Sequence, residues 1–84
     1  NPFNPAVTLA YRIGRSGTVT LEILDVRGQR VAVLVEEFQE AGGHEATWQG
    51  LDEKGRALPS GTYLARLLVN GRKAGKAARL SLIK

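Results

Sequence analysis

Eighty-four residues with an apolar fraction of 43% supply one thin core, so a single domain over residues 1–84 is expected and a second core is excluded. The chain has no cysteine, which removes disulfides, thiolate metal sites and thiol nucleophiles at once. Its formal charge of +4 raises the question of nucleic acid, and the absence of any apolar run near the roughly 20 residues of a membrane span argues against membrane insertion.

The opening Asn1-Pro2-Phe3-Asn4-Pro5 carries two prolines that fix an extended backbone, and residues 1–5 read as a hinge from an upstream domain of a longer chain. Val7, Leu9, Tyr11 and Ile13 then alternate with polar or small residues, the period of a strand with one buried face. Gly14-Arg15-Ser16-Gly17 breaks this strand, and Val19, Leu21 and Ile23 resume the alternation against Thr18, Thr20 and Glu22. Asp25-Val26-Arg27-Gly28 is a turn, because Asp bonds its own downstream backbone and Gly accepts positive φ. A third strand is expected over Arg30 to Val35, where apolar residues fall on both parities.

Glu36 to Glu40 is expected to form a polar connection around Phe38, the one place in the chain with room for a single helical turn. His44, Ala46 and Trp48 mark a fourth strand with the lone tryptophan inward. Asp52-Glu53-Lys54-Gly55 and Pro59-Ser60-Gly61 are further turns, with a short strand expected between Gly50 and Leu58. Thr62 to Val69 is a strand, and Asn70-Gly71 is the strongest turn signal in the chain, since both residues accept the φ of a type I′ hairpin. Ala74 to Ile83 reads as one extended segment, with Ala78, Leu80 and Leu82 on one face. Short strands joined by turns, with no sustained helix, describe an all-β, immunoglobulin-like antiparallel β-sandwich of about seven strands.

Residues that could carry chemistry are few. His44 is the only histidine, and no serine sits in a nucleophile elbow, so a structural role is favoured and no enzyme is expected. Asp52 and Glu53 could begin a calcium loop, but one carboxylate pair followed by Lys54 is a thin cage, and a plain turn is preferred. No cofactor is expected, because Ala41-Gly42-Gly43 lacks the Lys-Ser/Thr of a phosphate loop. Trp48, Tyr63 and Tyr11 could form a sugar-stacking platform, but their strand parity assigns them to the core. The basic residues are scattered except for Arg72, Lys73, Lys76, Arg79 and Lys84, which read as a solvated edge strand and not as a groove for nucleic acid.

The punctuation forms an ordered series: Asn1-Pro2-Phe3-Asn4-Pro5, Val19-x-Leu21-x-Ile23-x-Asp25-x-x-Gly28, Val31-x-x-Leu34, Ala41-Gly42-x-His44, Trp48-x-Gly50, Gly55 and Ser60-Gly61-x-Tyr63, closed by a basic-apolar strand. In order and spacing it resembles the type A C-terminal sorting domain of the type IX (Por) secretion system, and the closely similar Ig-like domain of the flagellar hook-capping protein. Gln49 and Leu24 depart from the pattern, where Asp and an aromatic residue are usual.

The resemblance implies a non-catalytic module that directs an upstream catalytic or adhesive domain across the outer membrane. Its implied partners are the secretion machinery and a surface sortase, and its implied location is the exterior or cell surface of a Gram-negative bacterium, reached through the periplasm. Gly75, Arg79, Leu80, Leu82, Ile83 and Lys84 match the family's terminal recognition pattern. The alternative is an accessory Ig-like module that binds carbohydrate, a cell surface or a neighbouring domain. The chain is expected to be monomeric.

Overall fold

The structure, a computed structural model, describes residues 6–84, so the expected hinge over residues 1–5 lies outside the described residues. Seven strands follow one another there: β1 Val7–Ile13, β2 Gly17–Leu24, β3 Arg30–Gln39, β4 Gly42–Trp48, β5 Gly61–Val69, β6 Arg72–Lys73 and β7 Ala78–Leu82. β1 and β4 make a two-stranded antiparallel sheet. The larger sheet runs β3-β2-β5, with β6 and β7 lying one after the other along the remaining edge of β5. The all-β, Ig-like sandwich expected from the alternation is therefore present with seven strands. The short strand expected between Gly50 and Leu58 is only an isolated bridge between Leu51 and Ala57, and the seventh strand is β6.

Two further local expectations are corrected. Glu36 to Gln39 continues β3 and contains no helical turn, because β2 offers Gly17 to Thr20 as ladder partners and Gln39 Oε1 accepts a 2.7 Å bond from the Tyr11 hydroxyl. The expected single segment from Ala74 to Ile83 is split, with Gly75 at φ 81° in the gap between β6 and β7.

The mixed parity of β3 also has a cause. The β2–β3 register slips between Leu21 and Glu22 and again between Ile23 and Leu24. Each slip leaves Leu34 or Val31 as an extra residue on β3, so neighbouring residues can both turn inward. Ala32 is buried as a result, and Val31, Leu34 and Val35 pack against the core.

Turn chemistry sets the connections. Asn70 (φ 52°) and Gly71 (φ 81°) adopt the left-handed pair that the β5–β6 hairpin requires. Asn70 also holds β2, donating its N–H to Thr18 O and accepting Thr18 N–H at Oδ1. Asp25 and Asp52 build two turns of the same design. In each, one carboxylate oxygen accepts the N–H groups two and four residues on, and a glycine three residues on bonds back to the Asp carbonyl.

Trp48 sits at the centre of the core, 1% exposed, with Tyr63 edge-on at 5.1 Å between ring centroids. Both rings have their polar ends satisfied: Trp48 Nε1 donates to Leu51 O at 3.0 Å and the Tyr63 hydroxyl to Pro59 O at 2.6 Å. The second bond resembles the tyrosine corner of Ig sandwiches. Leu21, Ile23, Ala65, Leu80 and Leu82 complete the buried cluster.

Gly50 lies beneath Leu82 at φ 76°, where a Cβ would come within 3.0 Å of a Leu82 methyl. Gly50→Ala therefore combines left-handed strain with crowding of a core side chain. It is expected to cost about 1–3 kcal/mol, read as a lower urea midpoint, whereas Gly14→Ala, with open space around it, should stay within about 0.5 kcal/mol.

Candidate functional site

The residues singled out at the C-terminus share one edge but not one environment. Leu80 and Leu82 point into the core at 8% and 1% exposure. Arg79 is exposed opposite Leu64, and Gly75 supplies the left-handed residue of the gap. Ile83 is exposed, and the Lys84 N–H reaches Ser60 Oγ at 3.2 Å. The edge thus presents a basic backbone rim, while its two leucines belong to the sandwich interior.

His44 lies beside Tyr11 across the β1–β4 pair, with stacked rings 5.6 Å apart. Its Nε2 is 2.7 Å from the Glu40 carbonyl oxygen. These rings border a shallow, open hollow with Arg12 and Glu45. Among the described residues, no three His, Asp or Glu side chains gather to share a metal ion. Trp48 and Tyr63 are buried, so the aromatic platform considered for sugar stacking is not displayed.

Asp52 is committed to its turn. Oδ1 accepts Lys54 N–H and Arg56 N–H, and Oδ2 accepts Arg56 Nε–H at 3.0 Å. The Arg56 backbone bond, with the Lys54 bond and the Arg56 side chain, holds the carboxyl below its ordinary pKa, against a smaller opposing effect of burial. A depressed folded-state pKa contributes stability above the unfolded value, about pH 4, that is lost as pH falls through the folded one. Asp52→Asn is accordingly expected to flatten the acid limb of a thermal-stability profile below about pH 4 while leaving the neutral plateau lower.

The outer face of the larger sheet holds a cluster that the sequence reading missed. Glu22 is 4% exposed on central strand β2, although its parity promised solvent. Arg66, its cross-strand partner on β5, donates from Nε and Nη2 to Glu22 Oε2, each at 2.7 Å. Arg30 reaches the other carboxylate oxygen at 4.0 Å and Glu53 at 3.4 Å, tying the loop after β4 to the sheet. Buried Leu24 and half-buried Val33, Leu64 and Leu68 lie on the same face and, with the arginine stems, exclude water from the carboxylate. Opposite charges on the polar parity of two strands were the available signal, but which strands pair cannot be read from alternation. Chemically the cluster is saturated: Glu22 is engaged by two guanidinium groups and positions backbone.

Residues 7–71 match the FlgD Ig-like domain. The chain belongs to the FlgD Ig-like domain family. Two solved FlgD structures share its fold. FlgD from P. aeruginosa is 25% identical with a TM-score of 0.69, over 90% of this chain and 61% of that one. FlgD from Xanthomonas campestris, described in terms of hook capping essential for flagellar assembly, is 24% identical with a TM-score of 0.70, over 93% of this chain and 56% of that one. The chain thus spans less than two thirds of either FlgD chain. No curated protein matches it.

The FlgD assignment corrects the expected function. The type IX sorting role, its secretion-machinery and sortase partners and the transport of an upstream cargo are overturned by the FlgD family match and the FlgD structures. The physical reason lies in what the shared motifs do. Asp25 and Gly28 close a turn, Gly50 makes room for Leu82, and Tyr63 caps Pro59. These residues specify the sandwich, which both families use, and none of them specifies an export route.

Proposed function

We propose that this chain is a non-catalytic scaffold domain of a hook-capping protein, holding shape and spacing within a flagellar assembly on the outside of a Gram-negative cell. The observation that carries the reading is the FlgD Ig-like family match over residues 7–71. The structure supports it in kind. The charged cluster at Glu22 is consumed in fixing the sheet, and Trp48 and Tyr63 are consumed in the core. What the domain offers a partner is a rigid frame with charged edges.

The reading is tested by deleting codons 7–82 in the parent bacterium and counting hooks by electron microscopy. Loss or strong reduction of hooks, with hook subunits escaping to the medium, is the expected result. Normal hook number and length would reject the proposal.

A further inference from the structure

The two edges of the larger sheet carry opposite charge at the same height. One row across the sheet runs Glu36, Thr20, Leu68, Lys73, and the next runs Glu37, Val19, Val69, Arg72. Each row ends in a carboxylate on β3 and in a cation on β6, about 14 Å apart at three inter-strand spacings. All four charged residues are exposed, and none takes part in an ion pair among the described residues. No described strand covers the outer edge of β3 or of β6.

Strand direction agrees with charge. β2 is antiparallel to both β3 and β5, and β6 is antiparallel to β5, so β6 runs antiparallel to β3. A second copy displaced sideways without rotation would set its β6 beside β3 in antiparallel orientation, with Lys73 opposite Glu36 and Arg72 opposite Glu37. Edge charges usually keep sheets apart. Protection against self-pairing is served by the same sign on both edges, whereas these rows attract in register.

The pairing is also confined to the upper half of the edge. Lower down, the Glu53 N–H already bonds Val31 O at 3.0 Å and occupies the rim of β3. That blocked half also lacks opposite charges at its two ends, since the row through Leu24 and Leu64 has Arg30 at one end and Arg79 at the other.

We propose that the β3 edge of one copy of this chain docks on the β6 edge of the next, in register, through Glu36–Lys73 and Glu37–Arg72. The contact is heterologous, so each copy keeps one free edge and can add another neighbour. Two exposed ion pairs and a few backbone hydrogen bonds hold weakly, so the contact operates where copies are concentrated by the rest of an assembly. It revises the expected monomer and does not depend on the hook-capping reading.

The test uses two variants of the 84-residue chain, E36K/E37K, with both edges basic, and R72E/K73E, with both edges acidic. Each alone should sediment as a monomer, and the mixture should sediment faster, with the excess gone at about 1 M salt, where the Debye length is about 3 Å. Register is tested separately by mixing E36C copies with K73C copies, the only thiols present. A disulfide requires Cα atoms within about 7 Å, so mixed dimers should form several-fold above a T47C with K73C control. No change on mixing the charge variants overturns the proposal. Association on mixing without cross-linking above the control overturns it equally, since it would place the contact elsewhere.

Discussion

Trp48→Ala is expected to lower the urea midpoint of the domain by about 1 M or more. The ring is 1% exposed, packs edge-on against Tyr63 and bonds Leu51 O through its indole N–H. Truncating a buried aromatic to alanine costs about 3–5 kcal/mol. A domain of this length holds about 4–13 kcal/mol in total, at roughly 0.05–0.15 kcal/mol per residue. The loss is compounded because the residues after Trp48 depend on it: Leu51 pairs with Ala57, and Asp52 and Glu53 build the turn that meets β3. Far-UV circular dichroism with urea titration reads the effect, and a midpoint within about 0.5 M of wild type would contradict this placement of the ring, given a slope of about 1–3 kcal/mol per M. Trp48→Phe, which keeps the hydrophobic body and loses the N–H, should fall between the two.

Glu22→Ala ranks next, at about 2–4 kcal/mol. Removing one member of a buried pair strands the other, and Arg66, a third exposed, would face Leu64, Leu68 and Val33 with its charge uncompensated. Arg30 would lose one of its two carboxylates and the loop at Glu53 would loosen. The informative control is the double variant Glu22→Leu with Arg66→Leu. Well-packed apolar replacements of a buried pair are often neutral or stabilising, so the double variant should recover most of the loss. Urea unfolding of the wild type, Glu22→Leu, Arg66→Leu and the double variant forms a cycle, and a coupling energy near zero would show that the 2.7 Å contacts contribute nothing to stability.

Those two residues also mark where the sequence was legible and where it was not. Trp48 reads as a core residue because His44, Ala46 and Trp48 share one parity, and parity is a local property. The two Asp-x-x-Gly turns are legible for the same reason, since their hydrogen bonds close within five residues, and the Asn70-Gly71 hairpin is legible from the left-handed φ that these two residues accept. Glu22 was misplaced because its burial comes from Arg66, forty-four residues away, and from the half-buried leucines around it. Glu36 to Gln39 was open to a helical turn because its ladder partner, the start of β2, lies upstream across a turn. The break between β6 and β7 is hidden in the sequence because Gly75 sits in a segment whose alternation reads through it. The functional misreading has a related origin. Turn and core motifs identify a fold shared by several families, and the feature that would separate their roles is not among the residues that make the fold.

The opposed edge charges follow from the same topology that hid Glu22. Glu36 and Lys73 are far apart in the chain and are brought to one row only by three successive pairings. A scaffold that extends through its edges needs a stiff sheet between them. The Glu22–Arg66 pair joins the two central strands of that sheet, and Arg30 links it to Glu53 at the side.

The central claim, that the domain serves as part of a hook cap, is tested most directly by locating it. An epitope inserted at the exposed tip beside Val26, which is 70% exposed in the Asp25 turn, can be labelled with gold on cells of the parent bacterium caught during hook growth. The account predicts label concentrated at the free ends of growing hooks. Label spread over the cell surface, or absent from hooks, would contradict it.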